Sequence, residues 1–70
     1  MSIVKVIEVI AESKEGWDEA AQVAVATASK TLRNIRSIYI QDLQGTVEDG
    51  RITNFRVNAK ISFVLEDGGD

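Results

Sequence analysis

The chain has 70 residues, 44% of them hydrophobic, with eight basic and eleven acidic side chains for a formal net charge of −3. It has no cysteine and no histidine, which excludes disulfides, thiolate metal sites, thiol nucleophiles and the commonest general base. One domain, 1–70, of this size supplies only about 3–5 kcal/mol of stability unless something else adds to it, and oligomerisation is the source left open.

Ile3–Ala11 (IVKVIEVIA) is rich in β-branched residues and reads as the first strand. Period two places Ile3, Ile7 and Val9 on one face and Val4, Val6 and Ile10 on the other, so both faces need cover. One can take this chain's helix. The other has no internal partner, which is a second argument for contact between copies. Ser13–Asn34 carries the single helix signal. Ser13 is a plausible N-cap, Glu15, Asp18 and Glu19 suit the N-terminal end of the helix dipole, and Lys30 and Arg33 suit its C-terminal end. Trp17, Ala21, Ala24, Ala28 and Leu32 recur at helical spacing as one apolar stripe. Trp17 is expected to close the end of the core rather than to stack on a ligand. Asn34 is expected to end the helix in a left-handed conformation.

Ile35–Val47 and Arg51–Glu66 read as the second and third strands, joined by Glu48-Asp49-Gly50, a strong hairpin signal because Asp-Gly tolerates positive φ. The last residues, Asp67, Gly68, Gly69 and Asp70, read as a loose tail. The predicted class is α+β, order β-α-β-β, with one helix packed on a three-stranded antiparallel sheet. On the third strand Phe55, Val57, Ala59, Ile61, Phe63 and Leu65 share the face expected under the helix; Asn54, Arg56, Asn58, Lys60 and Ser62 share the other. A two-residue turn sets Ile38 and Ile40 opposite Ile61 and Ala59. It also sets Ser37, Tyr39, Gln41 and Leu43 on the polar face, opposite Ser62, Lys60, Asn58 and Arg56.

The basic residues form no run, so no nucleic-acid partner is expected. No segment is long and apolar enough to span a membrane, and the N-terminus lacks a signal-peptide layout, so a cytoplasmic location is expected. Glu48 and Asp49 belong to no spaced calcium loop, no glycine-rich phosphate loop is present, and neither a metal site nor a catalytic set is predicted. The one cluster that resembles a site is Tyr39, Gln41, Arg56, Asn58 and Lys60. Two cations and an aromatic on one sheet face suit an anionic ring compound or a phosphate; a solvated outer face, or one lining a wet cavity in an oligomer, is the other reading.

Several stretches together resemble the dodecins, small flavin-binding proteins that assemble as hollow dodecamers. They run from Val4-Lys5-Val6-Ile7-Glu8 to Phe63-Val64-Leu65-Glu66, through Ser13-x-Glu15-Gly16-Trp17, the alanine-rich helix, Lys30-Thr31-Leu32-Arg33-Asn34 and the Phe55–Phe63 strand. The resemblance implies a homododecamer with open sheet faces turned inward, and flavin (riboflavin or FMN) stored in pairs at subunit contacts without catalysis. It further implies a ring-stacking tryptophan early in the second strand, where this chain has Ser37, and a ring-binding glutamine on the third, where it has Arg56. The implied ligand face therefore carries Ser37, Tyr39, Gln41, Arg56, Asn58 and Lys60. Two functions follow as expectations. One is a small-molecule storage or sequestering shell; the other is a structural or interaction shell that has lost its ligand.

Overall fold

A computed structural model describes residues 3–65 of the chain. β1 (Ile3–Ser13), α1 (Trp17–Ala28), β2 (Ile35–Glu48) and β3 (Arg51–Leu65) follow in that order, and the antiparallel sheet has the strand order β1-β3-β2. The predicted class and element order hold. Glu66 and the tail from Asp67 to Asp70 lie outside the described residues.

The helix is shorter than predicted at both ends. Ser13 is the last residue of β1, paired with Phe55, and its hydroxyl accepts the Glu15 amide at 2.9 Å in the loop instead of capping the helix. Gly16 stands at the N-cap with no side-chain cap, and Asp18 and Glu19 occupy the first turn. After Ala28 the backbone tightens: Thr31 and Leu32 both donate to the Ala28 carbonyl, at 3.1 and 2.9 Å. Lys30 and Arg33 therefore lie beyond the last turn, which holds no basic residue. Asn34 is left-handed (φ 62°) as expected, but it turns the connecting segment into β2 and does not end the helix. Its carbonyl accepts the Val64 amide at 3.1 Å.

Period two along β3 sets the core. Val57, Ala59, Ile61 and Phe63 are buried under the helix, and from α1 they meet Ala20 and Ala24. Ala20, not Ala21, is the fully buried alanine of the helix stripe. Small side chains let the helix lie close over β1 and β3, and it barely touches β2. Trp17 closes one end of this core. Its ring meets Phe55 edge-on at 4.8 Å and its Nε1–H donates to the Gln44 carbonyl at 2.8 Å. A Cβ at Gly45 would crowd Ile52, standing 3.1 Å from its Cγ2, and would lie in ordinary contact, 3.5 Å, with Trp17 Cζ2.

The hairpin turns at Asp49 (φ 53°) and Gly50 (φ 75°), with Glu48 paired to Arg51. Two positive φ values in a two-residue loop match the right-handed twist of the strands. The predicted register holds for Ser37, Ile38, Tyr39 and Ile40, which face Ser62, Ile61, Lys60 and Ala59. Between these stretches it slips by one residue and returns. β3 gains a residue at Thr53, and β2 gains one at Gln41. As a result Leu43 pairs with Val57 and Asp42 with Asn58. This corrects the sequence reading: Leu43 stands on the helix side of the sheet, and Gln41 is the extra residue of the bulge rather than the partner of Asn58.

This is not a compact monomer. The described residues span 56 × 19 × 12 Å with a radius of gyration of 14.6 Å, whereas a compact chain of this length has about 11 Å. β1 covers β3 only as far as Phe55, so the hairpin from Thr46 to Asn54 projects beyond β1.

Candidate functional site

The open face of the sheet collects every predicted site residue except Gln41 on one surface. β3 runs down its middle with Arg56, Asn58, Lys60 and Ser62. β2 sets Gln44, Asp42, Tyr39 and Ser37 against them on one side, and β1 sets Glu12, Ile10, Glu8 and Val6 on the other. The contribution of β1 is absent from the sequence reading, which paired the hairpin only with itself. Glu8 and Glu12 share the parity of Val4, Val6 and Ile10, so the signal was available once β1 is placed beside β3.

Glu12 changes the electrostatics of the face. Arg56 donates from Nε and Nη2 to one oxygen of the Glu12 carboxylate, at 2.8 and 2.5 Å. Both side chains remain about half exposed. The Arg56 guanidinium, with a smaller contribution from Asn54, holds the Glu12 carboxyl below the ordinary carboxylate range against a weak opposing effect of burial. A depressed value in the folded state means that the pair adds stability above the unfolded-state value and loses it as pH falls through the folded one. The Glu12 titration midpoint followed by NMR is therefore expected to rise in an Arg56→Gln variant. An unchanged midpoint would show that the pair does not persist in solution. Lys60 in turn has Glu8 directly opposite in the register. The two cations that pointed to an anionic ligand are thus each faced by a carboxylate.

The remaining groups differ in how far they are committed. Ser37 Oγ and Ser62 Oγ are 2.6 Å apart and satisfy each other. Tyr39 is 65% exposed, so its ring is open to a partner. Asn58 Oδ1 is buried and has no hydrogen-bond partner. An unpaired buried acceptor costs about 1–3 kcal/mol, and a donor that reaches it recovers that cost. No three of His, Cys, Asp and Glu gather into a metal-binding group among the described residues. No helix among them is long and apolar enough to cross a membrane.

The matches to known proteins agree with this architecture. The Dodecin family model matches residues 3–66. A dodecin of Thermus thermophilus is 31% identical over 65 residues, which cover 93% of this chain and 94% of the relative. A calcium dodecin of Mycobacterium tuberculosis is 30% identical over 93% of this chain and 92% of its own length. Among solved structures, the dodecin of Streptomyces coelicolor superposes with a TM-score of 0.88 at 34% identity, covering 96% of both chains. The calcium-chelating antigen of Mycobacterium tuberculosis superposes at 0.79 with 28% identity, covering 99% of each. With a family match over nearly its whole length and the fold reproduced element by element, the chain belongs to the dodecin family.

Proposed function

We propose that this chain assembles into a hollow homododecamer that binds and stores a small organic molecule on its inward-turned sheet faces, without catalysis. The observation that carries the ligand is Tyr39, whose ring is 65% exposed on the open face, opposite Lys60. A planar molecule stacks on it, and a ring N–H at the molecule's edge reaches Asn58 Oδ1 once that side chain turns outward from its buried position. Flavin, the ligand that the family resemblance implies, is such a molecule: Asn58 can accept the ring N–H, which Arg56 cannot. Tyr39 then takes the stacking role that Ser37 is too small to fill.

Charge does not select the ligand strongly. Arg56 is committed to Glu12 and Lys60 faces Glu8, so a phosphate group adds little affinity. One relative is named for calcium, but among the described residues no three carboxylates gather on this face, and its exposed aromatic ring suits an organic ligand. A second reading, a structural shell that has lost its ligand, is favoured by the Ser37–Ser62 and Glu12–Arg56 contacts. They satisfy internally the two positions that the family uses for the ring.

Titration of riboflavin and FMN with ligand-free protein, followed by flavin fluorescence, separates the two readings. Quenching of both flavins with similar affinities is expected, and Tyr39→Ala is expected to weaken it about three- to tenfold, the worth of one aromatic contact. No quenching by the parent protein would leave the ligand-free shell as the function.

A further inference from the structure

We propose that the ring site selects a planar organic cation, with Tyr39 as the stacking surface and Asp42 as the acceptor for the ligand's charged N–H. The proposal rests on the ring-binding reading above and names the chemical class that the site prefers. It starts from the bulge in β2. Ile40 pairs with Ala59 and Asp42 with Asn58, so Gln41 has no partner and the strand beyond it is shifted by one residue. An unbroken strand would set Gln41, an amide, opposite Asn58. The bulge sets a carboxylate there instead, and bulges beside sites commonly re-aim a side chain in this way. Tyr39 and Asp42 face Lys60 and Asn58, successive positions on the open face of β3, so their backbones stand about 7 Å apart. Both residues are exposed. A planar molecule of two or three rings lying on Tyr39 spans that distance.

Charge gives the sign of the preference. The open face carries Glu8, Glu12 and Asp42 against Arg56 and Lys60. Arg56 is held by Glu12, and Lys60 stands opposite Glu8 in the register. Asp42 is diagonal to both cations, yet no hydrogen bond or ion pair reaches it among the described residues. One negative charge is therefore left over, and it lies beside the exposed ring. An aromatic face attracts a cation through its quadrupole, and a carboxylate binds a charged N–H more strongly than a neutral one. Both effects act on a cationic ring. A neutral ring gains the stacking and a weaker hydrogen bond.

Proflavine, a three-ring cation, and lumichrome, a neutral three-ring compound, test this by fluorescence anisotropy with ligand-free protein. Proflavine is expected to bind about five- to tenfold more tightly than lumichrome, the difference between a charged and a neutral hydrogen bond. Asp42→Asn, which removes the charge at an exposed position and keeps the side-chain shape, is expected to abolish that preference. Glu19→Gln removes the same charge from the first turn of the helix and is expected to leave the preference as in the parent. A preference that survives Asp42→Asn, or that falls as far in Glu19→Gln, would overturn the proposal in favour of general attraction to an acidic chain. Equal affinities of the parent protein for the two dyes would overturn the cation preference and leave the ring site standing. No binding of proflavine, lumichrome or riboflavin would overturn both.

Discussion

Ile61→Ala is expected to unfold the isolated chain. Ile61 is fully buried at the centre of β3, between Ile7 on β1 and Ile38 on β2, under the alanines of the helix. Truncating a buried isoleucine costs about 2–5 kcal/mol, part for the lost transfer of its methyl groups and part for the cavity. A core of this size holds about 3–5 kcal/mol in total. The alanine side chains above cannot move in to fill the space, because Ala20 and Ala24 already bring the helix close to the sheet. Circular dichroism should show loss of sheet and helix signals together. Ile61→Val, which removes one methylene at about 0.5–1.5 kcal/mol, should stay folded with a lower urea midpoint. A folded, fully stable Ile61→Ala variant would mean that contacts between copies, not this core, hold the chain together.

The second large effect concerns the ligand. Restoring the residues that the family resemblance implies, with Ser37→Trp and Arg56→Gln together, is expected to tighten riboflavin binding roughly 30- to 1,000-fold. The tryptophan contributes about 1.5–3 kcal/mol of buried apolar surface and about 0.5–1.5 kcal/mol of stacking, and glutamine adds an acceptor at the ring edge. The cost is modest: the Ser37–Ser62 contact is exposed, and a hydrogen bond there is worth about 0.5–1.5 kcal/mol. Fluorescence titration of the double variant beside the parent reads the change. An unchanged affinity would show that the ring lies at Tyr39 and Asn58 and never approaches position 37.

Much of the fold was legible because few alternatives satisfy its patterns. Asp49-Gly50 allowed one kind of turn, and strict alternation from Phe55 to Phe63 assigned the faces of β3. The helix accounts for only one apolar face of β1; Val4, Val6 and Ile10 on the other stay more than half exposed in the single chain, as the argument for contact between copies requires. Trp17 was expected to close the core and is found against Phe55 and Gly45. The helix ends were misread for a local reason. Ser13 resembles a cap in sequence, yet its place in the β1 ladder opposite Phe55 decides its conformation. Leu32 continues the helical spacing because its amide still reaches the Ala28 carbonyl, although the helix has already ended.

The candidate site was less legible than the fold. The bulges at Gln41 and Thr53 carry no glycine or proline to mark them, and they cancel, so a register extended from the turn is right at Ser37 and wrong at Leu43. That Arg56 is neutralised could be read only after β1 was placed beside β3, because its partner Glu12 lies 44 residues away on a strand that pairs only through the fold. A face read as cationic is in fact nearly balanced. That shifts the expected ligand from an anion to a planar molecule with a hydrogen-bond donor.

Native mass spectrometry of the purified protein, with and without added riboflavin, tests the central claim most directly. The expected spectrum shows the mass of one homododecamer of 7.7 kDa chains, and further mass steps of one riboflavin each when the ligand is present. A 7.7 kDa monomer at micromolar concentration, with no riboflavin retained, would contradict it.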